Sequence, residues 1–263
     1  MNGTIVQRMG EGLRRSLPHR LRAAAIHLGL STLIFLVALY LILVQWFPGF
    51  HFTVDGGWQG VRIMAAVDLV LGPMLTLIIF NPFKARKLIV FDLSCIGLTQ
   101  LVALIWGFYA IHSQHPVSIN FSDGTFYSIT AEPIKIEKYP LSMLAELSDR
   151  KPALIYVAPP ANEEELTRAG MMELMGGIAD YEDPLRFKAF APNWETVKAS
   201  AVDPAKQAQT DSEFAQGLER FLSRQGGSAS DYLFFPYTGR YGSCTVAFSK
   251  AGELLDALGC QAF

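Results

Sequence analysis

The 263-residue sequence has few of the residues and none of the short motifs that mark common enzyme classes. It contains three cysteines and five histidines, and it lacks GxSxG, HExxH, GxGxxG and the Walker phosphate loop. No histidine follows His115, so the C-terminal half beyond that point lacks the commonest general base and metal ligand. We therefore expect a protein without enzymatic activity, cofactor or metal.

Negative charge is in excess in the second half of the chain. Residues 1–112 hold nine Lys/Arg and four Asp/Glu, a net charge of +5, whereas residues 113–263 hold thirteen and twenty, a net charge of −7. Nucleic-acid binding needs basic surface that neutralises phosphates. The acidic half argues against a nucleic-acid partner.

Three long apolar runs occupy residues 23–47, 61–80 and 88–111, and nothing similar follows them. Each is long enough to cross a bilayer, which takes about 20 apolar residues. The first run exceeds the length of a signal-peptide core and has no small-residue cleavage site, so we expect it to be retained. The sequence therefore predicts a membrane protein. A three-helix N-terminal transmembrane bundle (23–112) follows a basic cytoplasmic N-terminus (1–22) and precedes a C-terminal α+β periplasmic domain (113–263).

Most basic residues of this region lie before the first run and in the loop between the second and third runs. The loop 48–60 has no Lys or Arg, and no basic residue follows the third run until Lys135. The basic flanks are Arg8, Arg14, Arg15, Arg20, Arg22, Lys84, Arg86 and Lys87. Because short loops rich in Lys and Arg stay in the cytoplasm, we expect a bacterial inner-membrane protein with its N-terminus inside and residues 113–263 in the periplasm.

The cysteines divide between the two parts. Cys95 lies in the third run, where we expect it to pack as a small apolar residue. Cys244 and Cys260 lie in the exported half, where an oxidising compartment would favour a disulfide. Closing a loop of roughly 15 residues would contribute about 3 kcal/mol. Two unpaired thiols are the alternative.

Four polar residues, His27, Asp68, Asp92 and Gln100, interrupt the apolar runs, where hydrocarbon makes them costly. At about 1.5 Å per residue, His27 and Asp92 lie about 6 Å from the inner ends, and Asp68 and Gln100 about 18 Å. Two pairs at equal depth are therefore predicted, His27 with Asp92 and Asp68 with Gln100. Such pairs either hold the bundle together or leave a carboxylate facing a partner's transmembrane helix.

Gly72 and Pro73 stand in the middle of the second run. Proline removes a backbone hydrogen bond and should kink the helix, and glycine lets another helix approach closely. We add both to the candidate partner site within the membrane.

The C-terminal half alternates short strand and helix patterns. A hairpin is predicted around Ser122-Asp123-Gly124, and Tyr237, Arg240 and Tyr241 form a candidate periplasmic contact loop. The other expected elements are strands at 134–136, 153–157, 232–236 and 243–248, helices at 141–148, 162–176 and 211–224, a strand or helix at 253–258, and an irregular stretch at 180–209.

The second and third runs resemble the type IV pilin accessory proteins (the TfpX/TfpZ group). The resemblance rests on VDLVLGPMLTL at 67–77 and KLIVFDL at 87–93, supported by Gln100, the Trp-Phe-Pro-Gly end of the first run (46–49) and Pro116-Val117. It covers roughly residues 20–130, with weaker matches at 235–236 and 240–242. Family members have arginine before the exit proline, where this chain has His115.

This resemblance implies an inner-membrane protein that assists type IV pilus biogenesis by stabilising the major pilin or modulating pilus extension. Pilins are anchored by one apolar N-terminal helix with a carboxylate inside it. The implied partners are the transmembrane helix and head of the major pilin, the lipid bilayer and other pilus assembly proteins. The alternative is a membrane-anchored periplasmic sensor that binds a ligand without enzymatic activity.

Overall fold

A computed structural model describes residues 2–263, with the side chains of 14–175 and 177–263. The side chain of Arg8, one of the basic flanks, lies outside the described residues. The chain forms two compact units. The helical unit comprises residues 2–45 and Trp58–His112, and the sheet unit comprises Trp46–Gly57 and Ser113–Phe263. The loop after the first apolar run therefore belongs to the sheet unit, whereas the sequence assigned it to the membrane domain.

Within the described residues, the helical unit contains helices but no strands.

The α-helices of both units, in chain order, are α1 (Asn2–Tyr40), α2 (His51–Val54), α3 (Gly57–Ala65), α4 (Gly72–Ile79), α5 (Arg86–Ser113), α6 (Ala131–Ile136), α7 (Met143–Leu147), α8 (Glu163–Met171), α9 (Trp194–Lys198), α10 (Pro204–Thr210) and α11 (Ser212–Gln225). Three π-helical segments, Leu41–Trp46, Ala66–Leu71 and Met172–Gly176, extend α1, join α3 to α4 and extend α8.

Three helical segments are long and apolar enough to cross a membrane: Arg14–Trp46, Gly57–Ile79 and Arg86–Ser113. They coincide with the three predicted apolar runs. Only 6 to 22% of the residues in their most apolar stretches are buried within the protein. The apolar side chains therefore face outward, as a hydrocarbon solvent would favour.

Glycine sets how closely α5 approaches the second segment. A Cβ on Gly60 would lie 2.8 Å from Cγ1 of Ile111, and one on Gly72 would overlap the Gln100 amide. Pro73 follows the π-helical segment Ala66–Leu71, and the helix continues to Ile79. Proline cannot donate a backbone hydrogen bond. The π-helical hydrogen-bonding pattern just before Pro73 accommodates this loss, so the helix continues past the proline.

The sheet unit is built on a mixed seven-stranded sheet. Its strands are β1 (Ser118–Ser122), β2 (Thr125–Ile129), β3 (Ala153–Val157), β4 (Phe187–Ala189), β5 (Tyr232–Thr238), β6 (Gly242–Ser249) and β7 (Leu254–Ala262). Their order is β4-β3-β1-β2-β5-β6-β7. The β1–β3 and β2–β5 pairs are parallel and the others antiparallel. This α+β architecture agrees with the fold class predicted for the C-terminal half.

The alternating faces of β5 bury aromatic residues on both sides of the sheet. Phe235 joins Phe126 and Phe248 in one core, while Phe234 joins Phe214 of α11 in another. Successive strand residues point to opposite faces, so one Phe-Phe pair serves two cores. The strand predicted at 232–236 is confirmed.

The hairpin at Asp123 and Gly124 is confirmed, and both residues have the positive φ that a tight hairpin turn requires. The predicted strand at 134–136 is wrong, because Pro133 lies in the first turn of α6, where proline suits a helix. The stretch 180–209 holds β4, α9 and α10 rather than irregular chain alone.

The predicted disulfide is present. Cys244 of β6 and Cys260 of β7 are bonded across neighbouring strands, 16 positions apart, with 4.3 Å between their Cα atoms. A disulfide indicates an oxidising compartment. Cys95, which we expected to pack as a small apolar residue, is a free thiol exposed on the surface of α5.

Candidate functional site

The helical unit contains a cavity of about 750 Å³ lined by residues of α1, the second apolar segment and α5. Its walls are mainly apolar. Its polar lining consists of His19, Arg22, His27, Ser31, Asp68, Thr76 and Gln100. Three of the predicted polar residues, His27, Asp68 and Gln100, therefore meet in one place.

The polar side chains of α1 and α4 interact directly. Nδ1 of His27 lies 2.6 Å from Oγ1 of Thr76, within hydrogen-bonding distance. Asp68, Thr76 and Ser31 are all buried, with 6%, 1% and 8% of their surface exposed. Buried polar groups in an apolar bundle fix helix register when satisfied and are costly when they are not.

The side-chain amide of Gln100 carries an unsatisfied hydrogen-bond donor. Its Nε2 is buried and has no hydrogen-bond partner among the described residues. Gly72 gives the Gln100 amide its room, since any side chain there would overlap it. Asp68 and Gln100 share the cavity, but no hydrogen bond from the Gln100 amide joins them. Asp68 and Gln100, which were predicted to pair, therefore line the same cavity without a hydrogen bond from the Gln100 amide.

Asp92 lies away from this group. Its Oδ2 accepts from Nζ of Lys84 at 2.6 Å, and its side chain is partly exposed. The predicted His27–Asp92 pair is therefore wrong: His27 bonds Thr76 instead. Equal depth fixes position along the helix axes but not direction around them, and α1 packs mainly against α4.

Basic residues stand at one end of the cavity. His19 and Arg22 contribute to its lining. The nearby Arg20 donates from Nη1 to the carbonyl of Ile78 at 3.0 Å, which satisfies the C-terminus of α4. The cavity lining thus combines the basic residues His19 and Arg22 with a polar group that includes Asp68 and Gln100.

Sequence reasoning missed Ser31 and Thr76, although both follow a helical spacing. Ser31 lies one turn after His27, and Thr76 lies eight residues after Asp68. Residues four and eight apart share a helix face, so this spacing could have placed them beside the predicted residues.

A second polar cluster lies inside the sheet unit. Nδ1 of His51 is 2.5 Å from Oδ2 of Asp55, and the Tyr237 hydroxyl lies 3.2 Å and 3.1 Å from the same two atoms. The three residues are between 1% and 3% exposed. Tyr237 therefore does not belong to an exposed contact loop. A histidine does lie in the body of this unit, contrary to the expectation from sequence.

This cluster positions the segment Trp46–Gly57 on the sheet. Burial raises the pKa of the Tyr237 phenol well above its usual value, with the Asp55 carboxylate adding to the effect. The phenol therefore remains a hydrogen-bond donor. Backbone contacts reinforce the docking, because Tyr241 N–H donates to the Val54 carbonyl at 2.7 Å and Gly239 leaves space for Asp55.

Arg240 and Tyr241 remain at the surface. The Arg240 guanidinium lies 6.0 Å from the centroid of the Tyr241 ring and donates to the Gln114 side chain. Both are exposed, so two of the three predicted loop residues are available for contact.

Within the described residues, no group of three or more His, Cys, Asp or Glu is arranged to hold a metal ion.

The chain is similar over most of its length to proteins of fimbrial assembly. It shares 23% identity over 246 residues with the fimbrial assembly protein of serogroup E1 from Dichelobacter nodosus, covering 92% of this chain and 95% of that protein. The serogroup I protein of the same organism is 25% identical over 246 residues, with the same coverage. The shorter protein of serogroups C1 and C2 is 29% identical over 119 residues, covering 45% of this chain and 91% of that protein. No protein-family model and no solved structure matches the chain significantly.

Proposed function

We propose that this chain is an inner-membrane accessory protein of type IV pilus biogenesis that stabilises the major pilin and so modulates pilus assembly. The observation that carries the proposal is the similarity to two fimbrial assembly proteins across 92% of the chain. The resemblance to pilin accessory proteins, read from residues 67–77 and 87–93, points the same way.

In the proposed topology the N-terminus is cytoplasmic and the sheet unit is periplasmic. The basic residues Arg20 and Arg22 precede the first apolar stretch, and Arg86 and Lys87 precede the third. The positive-inside rule then places both flanks in the cytoplasm. The Cys244–Cys260 disulfide supports an oxidising compartment for the sheet unit.

The cavity in the helical unit supplies a site for the pilin's transmembrane helix. Its apolar walls, including Ile34, Leu101 and Leu104, can pack against apolar side chains. The buried Gln100 amide donor can pair with an acceptor, such as the carboxylate that pilins carry in that helix. Hydrogen bonds between transmembrane helices are worth about 0.6–2 kcal/mol, so packing would supply most of the affinity. The role requires no catalysis and no cofactor.

Site-specific photocrosslinking in the membrane tests this arrangement. Leu101 lines the cavity, whereas its neighbour Val102 is similarly exposed but does not line it. A photoreactive residue at 101 should crosslink to the major pilin of the same cell, and one at 102 should not. Equal crosslinking from both positions, or none from 101, would contradict the proposed site.

Filling the cavity gives a second test with a matched control. Gly97 lines the cavity and has no atom within 4 Å of an added Cβ, so Gly97→Leu fills space without a clash at that position. Gly29→Leu on α1 makes a similar addition away from the cavity lining. We expect Gly97→Leu to reduce surface piliation and pilin crosslinking while Gly29→Leu leaves both unchanged. Equal effects at equal protein levels would argue against the cavity.

A further inference from the structure

One helical run of the sheet unit exposes four large apolar side chains. Leu166, Met171, Leu174 and Met175 are 61%, 58%, 88% and 87% exposed on α8 and the π-helical segment that extends it. We call these four residues the methionine face. The other exposed large apolar residues among the described part of the unit, such as Ile136, are separated from one another along the sequence. A contiguous apolar patch on an otherwise polar surface marks a binding site more often than a single exposed residue does.

The methionine face borders an open groove of about 710 Å³. Met171, Met172 and Met175 line it together with Glu163, Glu164, Thr167 and Arg168. Methionine has a flexible, polarizable side chain that adapts to irregular partners. Such a surface suits a partner whose apolar side chains vary in shape.

Contacts at Ala169 and Arg168 fix the helix to the rest of the unit. Ala169 is buried, and Arg168 is ion-paired with Asp183, which also accepts from Nε of Arg186 at 3.3 Å. Asn162 caps the helix by accepting from the Glu165 N–H at 2.9 Å. The apolar side chains are therefore carried on an anchored element.

The charges around the groove indicate the charge that a partner should carry. Glu163 and Glu164 line it, and Glu173 lies on the same helical run. Arg168, the only basic residue among the described lining, is already paired with Asp183 and lies 3.9 Å from Glu137. The groove therefore carries unbalanced negative charge. This charge would repel an anionic lipid surface and the same face of a second copy, and it would attract a basic segment.

We propose that the methionine face and its acidic border bind a basic, apolar segment of a partner protein. The apolar side chains would bury against Leu174 and Met175, with Lys or Arg beside Glu163 and Glu164. This surface is separate from the helical cavity, and the inference does not depend on the pilus role.

The test uses the full chain in nanodiscs of zwitterionic lipid and a short fluorescent peptide of alternating Lys and Leu. A Glu/Leu peptide of equal length is the charge control, and lipid-only nanodiscs give the background. We expect the Lys/Leu peptide to bind and the Glu/Leu peptide to bind weakly or not at all. Leu174→Ser with Met175→Ser should weaken binding about tenfold, as for a hot-spot pair, whereas Ile136→Ser should not.

A second variant separates the charge from the apolar contact. Glu163→Gln with Glu164→Gln should weaken binding several-fold and reduce its salt dependence. Unchanged binding by either double variant, or preference for the Glu/Leu peptide, overturns the proposal. Self-association, or binding to phosphatidylglycerol vesicles, that disappears with Leu174→Ser and Met175→Ser would also overturn it, because a second copy or the membrane would then be the occupant.

Discussion

The Tyr237 hydroxyl lies 3.1 Å from Oδ2 of Asp55, a residue 182 positions earlier in the sequence. Asp55 directly follows α2, and Tyr237 lies in β5. The carboxylate is 1% exposed and also accepts from the Arg240 N–H at 3.4 Å. Since an unsatisfied buried carboxylate is costly, these contacts together make the segment Trp46–Gly57 an integral part of the sheet unit.

Removing the phenol oxygen should loosen that segment. Tyr237→Phe keeps the buried ring but deprives Asp55 of a donor, and a hydrogen bond to a charged group is worth about 1.5–3 kcal/mol. We expect the free energy of unfolding of the sheet unit to fall by that amount, measured by urea denaturation of the full chain in detergent. Limited proteolysis should show faster cleavage between residues 46 and 57.

The matched control is Tyr232→Phe. The Tyr232 hydroxyl also donates a hydrogen bond, to the Gly226 carbonyl at 3.0 Å, but that bond is exposed. Its loss should cost less than 1 kcal/mol or so, because water replaces the missing partner. Equal losses for the two variants would show that the buried cluster does not hold the segment.

The Cys244–Cys260 disulfide should contribute more to the stability of the sheet unit than the exposed Tyr232 hydrogen bond does. It closes a loop across a separation of 16 residues, for which chain entropy gives about 3 kcal/mol. We expect Cys244→Ala with Cys260→Ala, or reduction of the native protein, to lower the denaturation midpoint accordingly. Cys95→Ala serves as the control, because Cys95 is exposed and unbonded and its change should stay within about 0.5 kcal/mol.

Gly72 should tolerate no large side chain. Gly72→Leu places four carbon atoms where the Gln100 amide and its helix now lie, and overpacking typically costs about 1–3 kcal/mol. Thermal unfolding in micelles should show this loss, and Gln100→Ala in the same chain should recover part of it. Gly29→Leu, where an added Cβ meets no atom within 4 Å, should leave the midpoint nearly unchanged. A loss that Gln100→Ala does not relieve would place the clash elsewhere.

Local signals predicted the elements well, and long-range contacts were predicted poorly. Apolar length identified the three helical segments, and the positive-φ pair at 123–124 was visible as a hairpin turn. The buried cluster of His51, Asp55 and Tyr237 was not predicted, because His51 and Asp55 lie in a loop between apolar runs, far in sequence from Tyr237. Nothing local marks such a loop as part of a distant sheet. Within the cavity, depth along the membrane normal could not tell which helix His27 faces.

The partly buried carboxyl of Glu182 should make stability depend on pH. Burial is the main cause that raises its pKa above the usual 4.5, although the Ala179 N–H donates to it at 2.9 Å. The folded state therefore binds the proton more tightly than the unfolded state. The contribution of Glu182 is most favourable below about pH 4.5 and declines as pH rises through the higher folded pKa. Glu182→Gln keeps an acceptor for Ala179 and removes the titration. We expect this variant to be more stable than the native protein at pH 7, and the difference to shrink on acidification, as measured by urea denaturation across pH. A difference that does not change with pH would contradict this assignment.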